Sequence, residues 1–240
     1  MADPAFTGFG KDAIKYLKAL AFHQDREWFH ANKKLYESDV KKPLAAFVES
    51  TSEALDAAGL PLRATAKASL FRINRDIRFS KDKSPYQEHV SGVFTRTGTK
   101  KDTGGIYFQL GPKGSFMASG LWFPDPPVLK AFREAIVARE KEWTNIVDDL
   151  EAKGLPFGTS ATTFLKRMPP AFKDVEGERM QEWMKRKGFV VERPVKATRI
   201  TSPKLIDDVV AFAHEILPFM QFVWRATDKV REDGERKTDR

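Results

Sequence analysis

The feature that most constrains the fold is a set of three short apolar segments, 90–96, 105–110 and 115–123. Each is rich in β-branched and aromatic residues, which favours β-strands. The connecting segments TGTKKDTGG and GPKGS have the Gly, Asp and Lys content that is typical of turns. Because parallel strands need a crossover of about a dozen residues or more, this pattern predicts antiparallel hairpins.

Helical patterns flank these strands on both sides. Residues 1–62 have apolar residues at spacings of three and four, and a similar pattern follows Pro126 and returns over 205–219. We also predict a short helix that begins at residue 162 and is stopped by Met168-Pro169-Pro170, and a further strand at 188–193, whose partner the sequence does not identify. Helices, then strands, then helices predict an α+β fold, with a central antiparallel sheet packed with N-terminal and C-terminal helices.

The domain organisation follows from the absence of repeats and of linkers rich in Pro, Gly or Ser. We predict a single domain over 1–224, followed at 225–240 by a charged and flexible tail. No stretch of about 18 apolar residues is present, so we expect no membrane span. The N-terminus has no apolar core of a signal peptide, so we expect a cytoplasmic protein.

Composition excludes several classes of chemistry. The chain has no Cys, which excludes disulfides, thiolate metal sites and a cysteine nucleophile. Its four His residues do not form an H-E-x-x-H motif, and no Gly-rich loop follows a strand and opens a helix. We therefore expect no metal and no cofactor.

Positive charge is concentrated in one part of the chain. Between Arg63 and Lys101 there are ten Lys and Arg residues against three acids, a net charge of +7 in a protein whose total is +8. Such a basic patch attracts an anionic partner, or serves only as a solvated face that keeps the protein soluble.

The segment 71–79 alternates as a β-strand does, which places Arg75 on the side of the core. A buried guanidinium needs a carboxylate, and Glu27 is our first choice. Asp76 lies between Arg72 and Arg78 and is expected to be ionised. The predicted structural ion pairs therefore involve Arg75, Asp76 and Glu27.

An anion site is our main functional prediction for this segment. Guanidinium, ammonium and hydroxyl groups together suit a phosphate or carboxylate. The predicted ligand-binding residues are Arg72, Arg78, Lys81, Lys83, Tyr86 and His89, and Arg26, Asn32 and Lys33 are predicted to border the pocket. In the alternative interpretation the arginines only link helices to the sheet, the lysines are solvated, and the single imidazole bonds to the backbone instead of acting as a general base.

The sequence also resembles a known family. FRINRDIRFSKDKSPYQEH, at 71–89, closely resembles the signature of a mainly bacterial family of conserved hypothetical proteins, domain-of-unknown-function family 2461. DREWFHANKKLYESDVKKP and SGLWFPDPPVLKAFREAI are similar to two further signatures of that family. The resemblance implies a single α+β domain in a cytosolic protein, and it implies no particular reaction.

We therefore expect a small anionic ligand, bearing phosphate or carboxylate, to bind through the segment from Arg72 to His89. Whether the protein is an enzyme stays open, and so do its catalytic residues and its oligomeric state. Two alternatives remain: a nucleic-acid-binding module, favoured by aromatic residues among the basic ones, and a scaffold that docks an acidic protein.

Overall fold

The computed structural model describes residues 5–78, 81–158 and 164–238, with side chains as far as residue 230. Its described residues form ten α-helices and one four-stranded sheet. The α+β class predicted from the sequence is confirmed.

Helices dominate the N-terminal part. They are α1 (Lys11–His23), α2 (Arg26–Ala31), α3 (Lys33–Leu35) and α4 (Lys42–Ala57), with one π-helical segment (Tyr36–Lys41) immediately before α4, and α5 (Ala66–Ser69) follows. The Asp25 carboxylate accepts the backbone N–H of Trp28 at 2.7 Å and caps α2. Pro43 occupies the first turn of α4, where a missing N–H costs no helical hydrogen bond.

The sheet comprises β1 (Val90–Phe94), β2 (Ile106–Leu110), β3 (Phe116–Leu121) and β4 (Phe189–Pro194), in the order β1–β2–β3–β4. In the register between β1 and β2, Val90 pairs with Leu110 and Phe94 pairs with Ile106. The predicted antiparallel hairpin is therefore confirmed. The strand predicted at 188–193, for which the sequence identified no partner, is β4. It lies at the end of this order, next to β3.

One face of β2 belongs to the core and the other does not. Phe108 is fully buried, and its ring centroid lies 4.6 Å from that of Phe47 in α4. Tyr107 and Gln109 lie on the opposite face and are half-buried, as expected for a strand with side chains alternating between two faces. That second face forms part of the candidate site.

The chain divides into two compact units, and the domain prediction stays a prediction. The first unit contains 1–117 and 193–214, and the second contains 118–192 and 215–240. The second unit includes α6 (Pro126–Ala138), α7 (Glu140–Ala152), α8 (Glu178–Lys185) and part of the last helix, and it has its own aromatic core. In that core Trp143 contacts Phe132, Phe157 and Phe222 with ring centroids 5.2 to 5.6 Å apart.

One local prediction for the C-terminal half differs from the structure. The helix predicted between residue 162 and Pro169 is wrong in its described part, where Phe164 makes an isolated antiparallel bridge with Arg186. The Leu165 N–H donates to the Lys185 carbonyl at 2.8 Å, so pairing with a distant segment replaces the local helix. After α9 (Ala197–Ile200), α10 (Leu205–Thr238) includes most of the segment predicted as a flexible tail.

No described helix combines the length and the apolar composition required to cross a membrane.

Candidate functional site

The segment with the densest chemistry folds back on itself as a narrow ribbon, formed by residues 71–78 and 81–89. Asn74 and Tyr86 form an antiparallel bridge. The Arg75 N–H donates to the Pro85 carbonyl at 2.9 Å, and the Gln87 N–H donates to the Ile73 carbonyl at 2.7 Å. The ribbon therefore places residues 72–74 beside 87–89.

The continuous strand predicted over 71–79 is wrong for its described part, 71–78, which has one isolated bridge, at Asn74. The Asp76 carboxylate accepts the backbone N–H of Arg78 at 3.2 Å. This local bond competes with pairing to a neighbouring strand. Phe71 is 42% exposed, contrary to the core position that alternation predicted. Phe79 and Ser80 lie outside the described residues.

Arg75 fixes the ribbon from the inside. Its Nη1 lies 2.5 Å from Asp82 Oδ2, and its Nε and Nη2 donate to the Tyr86 carbonyl. Asp82 also accepts the backbone N–H and the hydroxyl of Ser84, and these bonds, with Arg75, lower its pKa. The predicted partner Glu27 is wrong, since Glu27 is exposed and Asp82 supplies the carboxylate. Seven residues of chain separate the observed pair, so a local turn replaces the long-range contact that we expected.

Asp76 lies between two guanidinium groups. Arg78 donates to it through Nε and Nη2 at 3.0 and 2.7 Å, and Arg72 Nη2 lies 3.8 Å away. The hydrogen bonds from Arg78, helped by the charge of Arg72, hold the pKa of Asp76 well below its usual range. Its carboxylate is engaged mainly with Arg78, and the longer distance to Arg72 leaves that guanidinium available for further contacts.

A groove of about 1120 Å³ lies in this region, and we call it the basic groove. It lies between the helices after residue 25 and the ribbon. Its wall contains six Lys and Arg residues and one acid: Arg26, Lys33, Lys41, Arg72, Arg75, Lys100 and Glu37. Its floor includes Phe29 and Tyr86, whose rings stack with centroids 4.3 Å apart. Among the described residues, Arg26, Lys33 and Lys41 form no ion pair, so their charge is not neutralised by the protein.

A second, smaller cavity of about 260 Å³ lies beside the basic groove, and we call it the polar cavity. Its lining residues are Phe71, Arg72, Asn74, Asp76, Gln87, His89, Ser91 and Tyr107. They come from the ribbon, from β1 and from the outer face of β2. Phe71, Arg72 and Asn74 line both cavities, so the two are neighbours separated by this part of the ribbon.

Burial controls protonation in both cavities. In the polar cavity, burial and the charge of Arg75 lower the pKa of His89, and burial raises the pKa of Tyr107. In the basic groove, burial raises the pKa of Tyr36 to about 12. At neutral pH the imidazole is therefore uncharged, and both phenols are protonated donors.

Comparison with protein families places this geometry in context. The family model described as Conserved hypothetical protein (DUF2461) matches residues 12–222 of the chain. The protein belongs to the DUF2461 family. No curated protein and no solved structure gives a significant match. The matched range contains every residue that lines the two cavities of this DUF2461 protein.

The structure separates the predicted anion-site residues of this DUF2461 protein into three groups. Arg72 and Tyr86 line the basic groove, together with the predicted border residues Arg26 and Lys33. Two predicted residues are found elsewhere: His89 lines the polar cavity, and Asn32 donates its amide to the Trp28 carbonyl at 2.9 Å. The remaining three, Arg78, Lys81 and Lys83, line neither cavity, and the Lys83 ammonium instead donates to the Ile77 carbonyl at 2.9 Å.

The sequence reasoning missed several lining residues for which a signal existed. Eight lining residues of the basic groove fall in the helical stretch 26–44, at successive spacings of three, one, three, three, one, four and three: Arg26, Phe29, His30, Lys33, Tyr36, Glu37, Lys41 and Leu44. This is the spacing of a single helix face. The lining residues Gln87 and Tyr107, by contrast, meet only through tertiary folding, and nothing local indicates their contact with one cavity.

Within the part of the chain that the structure describes, no group of three or more His, Asp or Glu residues is arranged to hold a metal ion.

Proposed function

We propose that this DUF2461 protein binds a small anionic ligand, bearing phosphate or carboxylate, in the basic groove. The observation that supports this most directly is the composition of the groove wall, where six Lys and Arg residues face one Glu. Like charges gathered in one concave site repel each other unless an anion is present. An anionic ligand would relieve that repulsion and would gain charge-assisted hydrogen bonds.

The arginines and lysines of the wall differ in how far the protein already satisfies them. Arg75 is occupied by Asp82 and by the Tyr86 carbonyl. Arg72, at 3.8 Å from Asp76, keeps most of its five donors available. We therefore assign the main contacts with the anion to Arg72 and to the unpaired Arg26, Lys33 and Lys41.

The dimensions of the groove suit a small molecule. Ligand pockets commonly have volumes of roughly 300 to 1,000 Å³ with a partly apolar lining. The groove, at about 1120 Å³, combines its basic wall with apolar contacts from Phe29, Leu44 and Ile73. These side chains would contact the less polar part of a metabolite whose charged group binds to the wall.

Two double variants, each of which removes two positive charges from the protein, test the proposal. Lys33→Ala with Lys41→Ala removes two ammonium groups from the groove wall. Lys34→Ala with Lys42→Ala removes two neighbouring ones that do not line it. Isothermal titration with inorganic phosphate, pyrophosphate and citrate is expected to show a loss of about tenfold or more in affinity for the first variant only. Equal losses in both variants would indicate nonspecific attraction, and no binding by the parent protein would reject the proposal.

A second candidate function, binding of single-stranded nucleic acid, is favoured by the exposure of Phe71. Its ring lies at the junction of the two cavities, and the Lys100 ammonium lies 5.6 Å from its centroid. An exposed ring next to cations is suited to base stacking beside a phosphate backbone. Titration of random oligonucleotides at increasing salt tests this candidate, since its affinity should fall steeply with salt concentration.

A further inference from the structure

The polar cavity contains hydrogen-bonding groups that the protein leaves unused. The amides of Asn74 and Gln87 and the imidazole of His89 all line it. None of these three side chains forms a hydrogen bond or ion pair with another described residue. Two amides and one neutral imidazole offer donors and acceptors in equal measure, which suits a ligand edge that also carries both.

The charge of the polar cavity differs from that of the basic groove. Its lining residues include one cation, Arg72, and one carboxylate, Asp76, so their formal charges sum to zero, and burial lowers the pKa of His89. A cavity of this kind has no preference for a second anion. It favours a neutral polar group over a phosphate.

Two aromatic rings contribute to the wall of the same cavity. The centroids of Phe71 and Tyr107 lie 6.1 Å apart and their planes are inclined by 61°. Phe71 is 42% exposed, and the Tyr107 hydroxyl is held by Gln109 Oε1 at 3.0 Å. One ring is thus fixed by the sheet, and the other presents an accessible face. Accessible aromatic faces next to amide groups are the means by which proteins stack and hydrogen-bond a planar heterocycle.

We propose that the polar cavity takes the heteroaromatic base of a nucleotide whose phosphate lies in the basic groove. The inference rests on the proposed function, because the basic groove supplies the phosphate site. Arg72 lines both cavities and would contact the ligand where its two parts join. Asn74 and Gln87 hydrogen-bond the edge of the base, and Phe71 stacks on its face.

This chemistry has two sources, a free mononucleotide and a terminal nucleotide of single-stranded nucleic acid. Both place one base beside one phosphate. The experiment therefore compares the two directly, with an eight-residue oligoadenylate as the strand. Tighter binding of the oligomer assigns the site to a strand, and equal or weaker binding assigns it to the free nucleotide. Either result supports the proposal only if binding depends on Phe71.

The decisive experiment is a set of calorimetric titrations of the full-length protein with adenosine 5′-monophosphate, ribose 5-phosphate, adenosine and inorganic phosphate. The other three ribonucleoside monophosphates are titrated alongside, because the structure does not select one base. We expect the best nucleotide to bind about tenfold or more tightly than ribose 5-phosphate. The Phe71→Ala variant should lose this advantage, and because Phe71 also lines the basic groove, any loss of affinity for ribose 5-phosphate should be clearly smaller than the loss for the nucleotide.

A matched control is provided by Phe22, which is 85% exposed in α1 and lines neither cavity. Phe22→Ala removes an equally large ring and should leave every affinity unchanged. Gln87→Ala removes only one amide. It should weaken the binding of the nucleotide and leave the affinity for ribose 5-phosphate unchanged. Because Phe71 and Phe22 are both exposed, neither substitution removes a core side chain, and thermal denaturation of each variant checks the fold.

The outcomes separate the two proposals. Equal binding of ribose 5-phosphate and of all four nucleotides would overturn the nucleotide assignment and leave the anion site intact. Binding of adenosine without any binding of the phosphate compounds would overturn the anion site. No binding of any compound or of the oligoadenylate would overturn both.

Discussion

Arg75 and Asp82 form an ion pair of 2.5 Å within the ribbon. The guanidinium also donates to the Tyr86 carbonyl, so one side chain connects both arms of the ribbon. Since the same ribbon carries Arg72 and His89, the shape of both cavities depends on this pair.

Asp82→Ala should loosen the ribbon without unfolding the protein. The carboxylate is half-exposed, so its loss should change the free energy of unfolding only slightly. Hydrogen exchange of the Arg75 and Gln87 amides, which bond across the ribbon, should become faster. Asp12→Ala, which breaks an exposed ion pair with Lys15 in α1, is the control. Unchanged exchange in Asp82→Ala would show that the backbone bonds alone hold the ribbon.

The ribbon should also loosen in acid. The pKa values of Asp76 and Asp82 are lower in the folded protein than in the unfolded chain, so their ionised forms stabilise the fold. That contribution is complete above the unfolded pKa of about 4, and it is lost as the pH falls through the folded values. Carboxyl chemical shifts measured by NMR between pH 6 and pH 2 would show both titrations displaced to low pH. If either carboxyl group titrated with the pKa that it has in an unfolded chain, this result would contradict the observed geometry.

The cap of α2 should influence the basic groove. Asp25→Ala removes the acceptor of the Trp28 N–H and should cost about 1 kcal/mol of stability. Fraying of α2 would displace Arg26, so phosphate affinity should fall as well. Asp25→Asn keeps a capping oxygen and should restore most of the stability, as measured by urea denaturation. If both variants are equally unstable, the charge of Asp25 matters more than its hydrogen bond.

A tight backbone contact in the second unit predicts a large effect of a single methyl group. Gly120 has φ +128°, and an added Cβ would lie 2.0 Å from the Phe189 carbonyl oxygen. Gly120→Ala should therefore destabilise the protein by about 3 kcal/mol or more, seen as a lower midpoint in urea. Gly154→Ala is the matched control, because Gly154 also has a positive φ but has open space around it. Its cost should be nearer to about 1 kcal/mol.

The fold was predictable where local pattern and global structure agree. The segments that became β1, β2 and β3 were identified because alternating β-branched and aromatic residues lie between turn sequences. The ribbon was misassigned because Asp76 bonds to the nearby Arg78 backbone, which a count of alternating residues does not detect. Propensity likewise predicted a helix before Pro169, where Phe164 instead pairs with the distant Arg186.

The candidate site was predictable only in part. The charge density follows from the sequence, as does the presence of Arg72 within it, and the helix face with Lys33 and Lys41 could have been found from its spacing. The polar cavity could not be predicted from the sequence, because Tyr107 and His89 come together only when β1 and β2 pair and the ribbon folds over them. Glu27 was chosen for Arg75 because a distant acid was expected, whereas a turn brought Asp82 to it.

The stretch from Phe71 to Asn74 is a partition with a cavity on each side. A displacement of this thin wall toward one compartment enlarges the other by a comparable amount. A compound that displaced this wall on entering one compartment would therefore change the affinity of the other, and the two positions would then be thermodynamically linked through four residues of main chain.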